Sequence, residues 1–124
     1  MPDRYAVLMN ASTDDVGPEV NGLEYALDLD DGGFDVEVHL DGAATKWADR
    51  LEAEPDHPVA EQFEQVEERD LVAGACGHCT TTFDATEGIE ARGIEVLGGD
   101  GGHGPAISEL VETHELLTIG LPVS

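Results

Sequence analysis

Residues 4–10, RYAVLMN, form a nearly unbroken apolar run, the pattern of a strand buried in a parallel sheet. A polar loop, ASTDDVG, follows. Pro18 suits the first turn of a helix, and Val20, Leu23, Ala26 and Leu27 recur at helical spacing until the DDGG turn at 30–33. FDVEVHL then alternates, with Phe34, Val36, Val38 and Leu40 on one face, and predicts a second strand whose other side is less buried. Strand, helix, strand is the opening of a parallel α/β sheet.

Helical spacing returns in AATKWADRLEA (43–53) and VAEQFEQVEER (59–69), parted by the breaker EPDHP, and together they predict the second crossover. Trp47 and Phe63 sit among apolar neighbours in these helices and read as core. LVAGA (71–75) predicts a small-residue strand running into CGHC, and TTTFDATEGIEA a helix beginning near Thr80 or Thr81. GIEVLGG predicts a fourth strand, GGDGGHGP a glycine-dense loop, PAISELVETH a helix opened by Pro105, and ELLTIG (115–120) the last strand, with LPVS as a short tail. The alternation predicts a single α/β domain over residues 1–124. Its expected form is a three-layer αβα sandwich around about five parallel strands in the flavodoxin-like order 2-1-3-4-5. Ligands of such sheets bind beyond the carboxyl ends of the strands, where strand order reverses, here between strands 1 and 3. The loops at that edge are ASTDD, DGAAT, CGHC and GGDGGHG.

A chain of 124 residues with 40% hydrophobic content is long enough for one proper core and too apolar for disorder. No apolar run approaches the roughly 20 residues that cross a bilayer, and MPDRYAVLMNAS lacks the build of a secretory leader, so a cytoplasmic protein without membrane partners is expected. Charge changes the picture more. There are 28 acids against five Lys and Arg, a formal net charge of −23 and a pI near 4.1, and Lys46 is the single lysine. The acids are dispersed between apolar positions, so they decorate a folded surface. That is the composition of a protein adapted to concentrated salt, where a Debye length of about 3 Å at 1 M screens self-repulsion. It excludes nucleic acid as a partner, because no cationic surface is available to displace phosphate counterions.

Candidate chemistry concentrates in AGACGHCTTTF, residues 73–83, which holds both cysteines. Cys76 and Cys79 fall where a strand leads into a helix, and free backbone N–H groups there favour a thiolate, the reactive form of the side chain. A thioredoxin-like dithiol is a second reading, two small buried residues a third. A zinc site is a fourth: Cys76, His78, Cys79 and His103 would supply four ligands if the CGHC and GGHG loops meet, although the second half of a CxxC…CxxC pattern is missing. No cofactor is otherwise expected. His103, at the carboxyl end of strand 4, is placed to hydrogen-bond a thiol or take up a proton near neutral pH. The amides of Gly101 and Gly102 offer donors for an anion or persulfide pocket, without the lysine or glycine spacing of a nucleotide loop. Asn10 and Ser12, with Asp14 and Asp15, follow strand 1 and line the same cleft or cap the next helix. His39, His57 and His114 show no partner pattern, and no GxSxG elbow supports a hydrolase.

A first-strand loop, a cysteine loop after strand 3 and a glycine-rich loop before the last helix together resemble the DsrE/DsrF-like family, which includes TusD-type sulfur-relay proteins. The resemblance runs from RYAVLMNAS through LVAGACGHC and GIEVLGG to ISELVETHELLTIG, and LVAGAC followed by GHC is its most specific piece. It implies a sulfur-binding or sulfur-relay protein, sulfurtransferase-like, in which Cys76 carries a persulfide and Cys79 is a companion thiol. Sulfur donor and acceptor proteins, or small persulfides, would be its partners, and assembly into homo-trimers or hexamers is implied. The alternative, independent of the resemblance, is a non-catalytic protein that binds a metal or small ligand with the cysteine and Gly/His loops. Many relatives carry Arg-Gly within a turn of the second cysteine, whereas Arg92 and Gly93 stand later here.

Overall fold

The computed structural model describes residues 3–99 and 101–120, and the expected LPVS tail lies outside them. Five parallel strands, β1 (Arg4–Met9), β2 (Asp35–Leu40), β3 (Val72–Cys76), β4 (Val96–Leu97) and β5 (Glu115–Ile119), make one sheet. The helices are α1 (Val16–Asp31), α2 (Trp47–Ala53), α3 (Ala60–Glu68), α4 (Gly77–Thr82), α5 (Thr86–Ala91) and α6 (Ile107–Leu110). The fold is α/β, as the alternation predicts. No helix among the described residues is long and apolar enough to cross a membrane.

The strand order is β4-β3-β2-β1-β5, and this corrects the expected 2-1-3-4-5. Both orders allow right-handed crossovers, but they place the second crossover on opposite faces of the sheet. Stepping outward from β1 to β2, β3 and β4 keeps successive helices on one face. Residues from α1, α2, α3 and α5, including Leu23, Trp47, Phe63 and Ile89, accordingly share one core with Val7, Met9, Val38, Leu40 and Ala75. Turning back at β3 would have split that core. The chain reverses only between β4 and β5, so the switch point lies between β1 and β5 and not beside the cysteine loop.

That last crossover, running the other way, belongs to the opposite face, where it forms a thin third layer. Only α6 is helical in the expected span 105–114, and none of its side chains is buried. The expected helix TTTFDATEGIEA is likewise divided. Asp84 takes a left-handed φ of 53°, Ala85 N–H donates to Thr80 O, and α4 and α5 lie on either side. Strand β4 keeps two residues of GIEVLGG, because Gly98 and Gly99 turn to φ of 83° and 72°. The helix expected at 43–53 begins as a 3-10 turn, Gly42–Lys46, before α2.

A local irregularity in β3 positions the site. Val38 pairs with Val72, but His39 pairs with Gly74, so Ala73 is an extra residue. A bulge of this kind reverses the alternation of side chains. Val72 packs against the main core before the bulge and Ala75 belongs to it afterwards, which sends Cys76 to the opposite face.

Candidate functional site

Cys76 ends β3 and is 1% exposed. Its backbone is extended (φ −61°, ψ 123°), and the chain turns at once into α4, so that Cys79 N–H approaches Cys76 Sγ at 3.5 Å. The glycine loop after β4 closes over this turn: His78 N–H donates to Gly102 O at 2.8 Å. Only glycine fits at 77, since a Cβ there would collide with the carbonyl oxygens of Gly99 and Gly102. Gly77→Ala is therefore expected to lower the urea midpoint by the equivalent of about 1–3 kcal/mol; an unchanged midpoint would show that the two loops separate freely.

The same closure delivers His103. Its Nδ1 lies 3.8 Å from Cys76 Sγ, and its ring leans on that of His78 with centroids 4.1 Å apart and planes at 31°. On the other side, Cys79 Sγ donates to Asp41 Oδ1 at 3.3 Å. Asp41, the first residue after β2, is itself held by Gly42 N–H at 2.9 Å and by its own N–H on Met9 O at 2.8 Å. Burial pushes the Cys79 thiol up to about 12, helped by its hydrogen bonds with Cys76 and Asp41 and opposed by the Gly42 amide. Cys79 is thus held as a thiol. The donor atoms of Cys76, Cys79 and His103 all lie within 4.8 Å of one another, the one such group of three or more among the described residues.

The two loops meet, and of the four residues weighed as zinc ligands Cys76, Cys79 and His103 come together, while His78 lies outside that group with its ring against that of His103. Asn10 lies against Gly42, the neighbour of Asp41, with Oδ1 directed at it, and its N–H donates to Ile119 O at 2.7 Å. Ser12 turns elsewhere: its hydroxyl donates to Asp15 Oδ2 at 3.1 Å and accepts Asp14 N–H at 3.2 Å. Asp15 occupies the N-cap position of α1 without a side-chain cap bond. Gly102 meets the cysteine turn through its carbonyl, its amide being directed to Gly99 O at 3.3 Å, and Gly101 is exposed with φ of 74°.

Asp41 is the participant that sequence reasoning missed. Its place in DGAAT, at the carboxyl end of β2, was the available signal. A second missed group lies on the opposite sheet face from the main core. His39 Nε2 is 3.1 Å from Glu37 Oε2, and His114 Nε2 is 3.6 Å from Glu37 Oε1. Burial lowers the His39 pKa, against the pull of Glu37. The alternation of Glu37 and His39 in FDVEVHL places them on one face, but nothing local points to His114. Arg92 is not near the cysteines: its Nε lies 3.1 Å from Glu52, its Nη1 pairs with Glu67, and its guanidinium lies over Phe63 at 5.4 Å.

No family model matches the chain, and no curated protein matches it. A solved structure, that of a conserved protein of unknown function from Bacteroides thetaiotaomicron, is similar over 94% of this chain and 95% of its own, with a TM-score of 0.68 and 22% identity. The likeness is one of fold. It extends over nearly the whole of both chains, so the α/β domain is a unit that recurs in another protein.

Proposed function

We propose that the protein accepts a sulfane sulfur on Cys76 as a persulfide and passes it to an acceptor thiol. The observation that carries this reading is the setting of Cys76 Sγ, between the His103 imidazole at 3.8 Å and the Cys79 amide at 3.5 Å, with a second thiol alongside. The family resemblance of LVAGACGHC points the same way. In the tautomer that leaves Nδ1 bare, His103 takes the Cys76 proton. The thiolate then attacks the outer sulfur of a donor persulfide, forming Cys76–S–SH and releasing the donor thiolate, which takes up a proton. An acceptor thiolate attacks that outer sulfur in turn and returns Cys76 to the thiolate. Cys79, protonated at rest, does not compete for the donor. Once it loses its proton it can attack Cys76 Sγ, giving a Cys76–Cys79 disulfide and expelling hydrosulfide.

The partners are persulfide-bearing proteins or small persulfides, met in the cytoplasm. Homo-oligomerisation is part of the same proposal, and Ile107 and Val111, exposed on the thin layer, are apolar surface that a second copy would cover. Intact mass after exposure to a persulfide donor, in concentrated salt, tests the reading. Wild type and Cys79→Ser are expected to gain about 32 Da, one sulfur atom, and Cys76→Ser to gain nothing; full loading of Cys76→Ser would remove the proposal.

A further inference from the structure

We propose that Cys76 Sγ, Cys79 Sγ and His103 Nδ1 form a three-ligand site for a zinc ion, in which the metal and sulfane sulfur compete for Cys76. The metal half stands on geometry alone, and the competition rests on the sulfur reading above. Zn–S bonds near 2.3 Å and Zn–N bonds of about 2.0–2.1 Å set the edges of a tetrahedral site at roughly 3.6 Å for S···N and 3.8 Å for S···S. Cys76 Sγ and His103 Nδ1 are already 3.8 Å apart, and every pair in the group lies within 4.8 Å. Side-chain adjustments of an ångström or less would bring all three donors to a common centre.

The donor set selects the ion. Two sulfurs and an imidazole suit a borderline-soft d10 cation, whereas calcium and magnesium require six or more oxygens. This matters on a chain with 28 acids, whose surface attracts hard cations indiscriminately. The cluster also has an open side. His103 is exposed and Cys79 only partly buried, so an ion can enter, and Asp41 Oδ1 stands 3.3 Å from Cys79 Sγ, beside the cluster. The ligands come from two loops locked together by the His78 N–H to Gly102 O bond, so the site is organised before any ion arrives. On binding, Cys76 and Cys79 coordinate as thiolates and their protons pass to solvent, that of Cys79 from its hydrogen bond with Asp41. The metal then engages the Cys76 lone pair that would otherwise attack a persulfide.

Titration of the reduced protein with Co2+ in concentrated salt, followed by displacement with Zn2+, tests this. The expected result is one ion per chain, with the ligand-field intensity of a tetrahedral site and a thiolate-to-cobalt charge-transfer band. Affinity should fall at least about tenfold in Cys79→Ser and in His103→Ala, since losing a ligand to the ion should cost no less than losing a group that hydrogen-bonds a ligand. Zinc-loaded wild type should then fail to gain sulfur while the metal-free protein gains it. Weak binding with an octahedral, oxygen-type spectrum, or a tetrahedral spectrum that survives either substitution, overturns the metal site. Unimpeded sulfur loading of the zinc-bound protein overturns the competition. Failure of the metal-free protein to load sulfur counts against the sulfur reading and leaves the metal titration to stand by itself.

Discussion

Glu19→Gln is expected to remove most of a fall in stability that the wild type shows between about pH 5 and pH 8. Glu19 lies on the buried stripe of α1 with Gly22, Leu23, Ala26 and Leu27, and it is 0% exposed. Among the described residues neither carboxyl oxygen has a partner. Burial without compensation raises its pKa from 4.5 to about 8. Below the unfolded value both states hold the proton and the group costs nothing extra. Between that value and 8 only the folded chain holds it, so the unfolded state gains as pH rises, at about 1.4 kcal/mol per pH unit. Above 8 the loss levels off at a total on the order of 5 kcal/mol. Glutamine has no proton to lose. Urea unfolding at pH 5, 7 and 9 in concentrated salt should therefore show the variant gaining on the wild type by several kcal/mol across the series. Parallel curves for the two proteins would mean that the carboxylate is neutralised by a partner.

Trp47→Ala is expected to cost about 3–5 kcal/mol, enough to threaten folding in a chain of this size. The side chain opens α2 at the centre of the core, fully buried, with its ring edge-on to His57 at 5.2 Å between centroids. Its indole N–H donates to Ala11 O at 2.8 Å and so ties α2 to the loop between β1 and α1. Trp47→Phe separates the two contributions. It retains most of the apolar volume but leaves a carbonyl of the buried Ala11 unpaired, at about 1–3 kcal/mol. A Trp47→Phe protein with the wild-type urea midpoint would show that the Ala11 carbonyl acquires another donor.

Hydrophobic periodicity alone was enough for the α/β class, five strands near their expected places, and the assignment of Trp47 and Phe63 to the core. These follow from local repeats, which are present in the chain before it folds. Element lengths were less legible. The helix expected after CGHC is broken at Asp84 and the one after Pro105 is cut to four residues, since short segments take their limits from what they pack against. The cysteine pair and His103 were visible as unusual residues at the carboxyl edge of the sheet, and they do meet. Asp41 was marked only by its place in DGAAT at that same edge, because its residue type, one of 28 acids, singles out nothing.

Composition and pattern by themselves determined that this chain buries a parallel sheet, carries an acidic surface and places two cysteines at a strand end. Strand order required the tertiary structure, because right-handed crossovers permit either wiring and only the shared core of α1, α2, α3 and α5 distinguishes them. The face on which Cys76 emerges was decided the same way. One extra residue at Ala73 inverts the alternation of β3, and that bulge exists only in the pairing of β3 with β2. Interactions between residues close in sequence are written in local spacing; those that join β2, β3 and the glycine loop around Cys76 arise only when distant segments compete for the same neighbours.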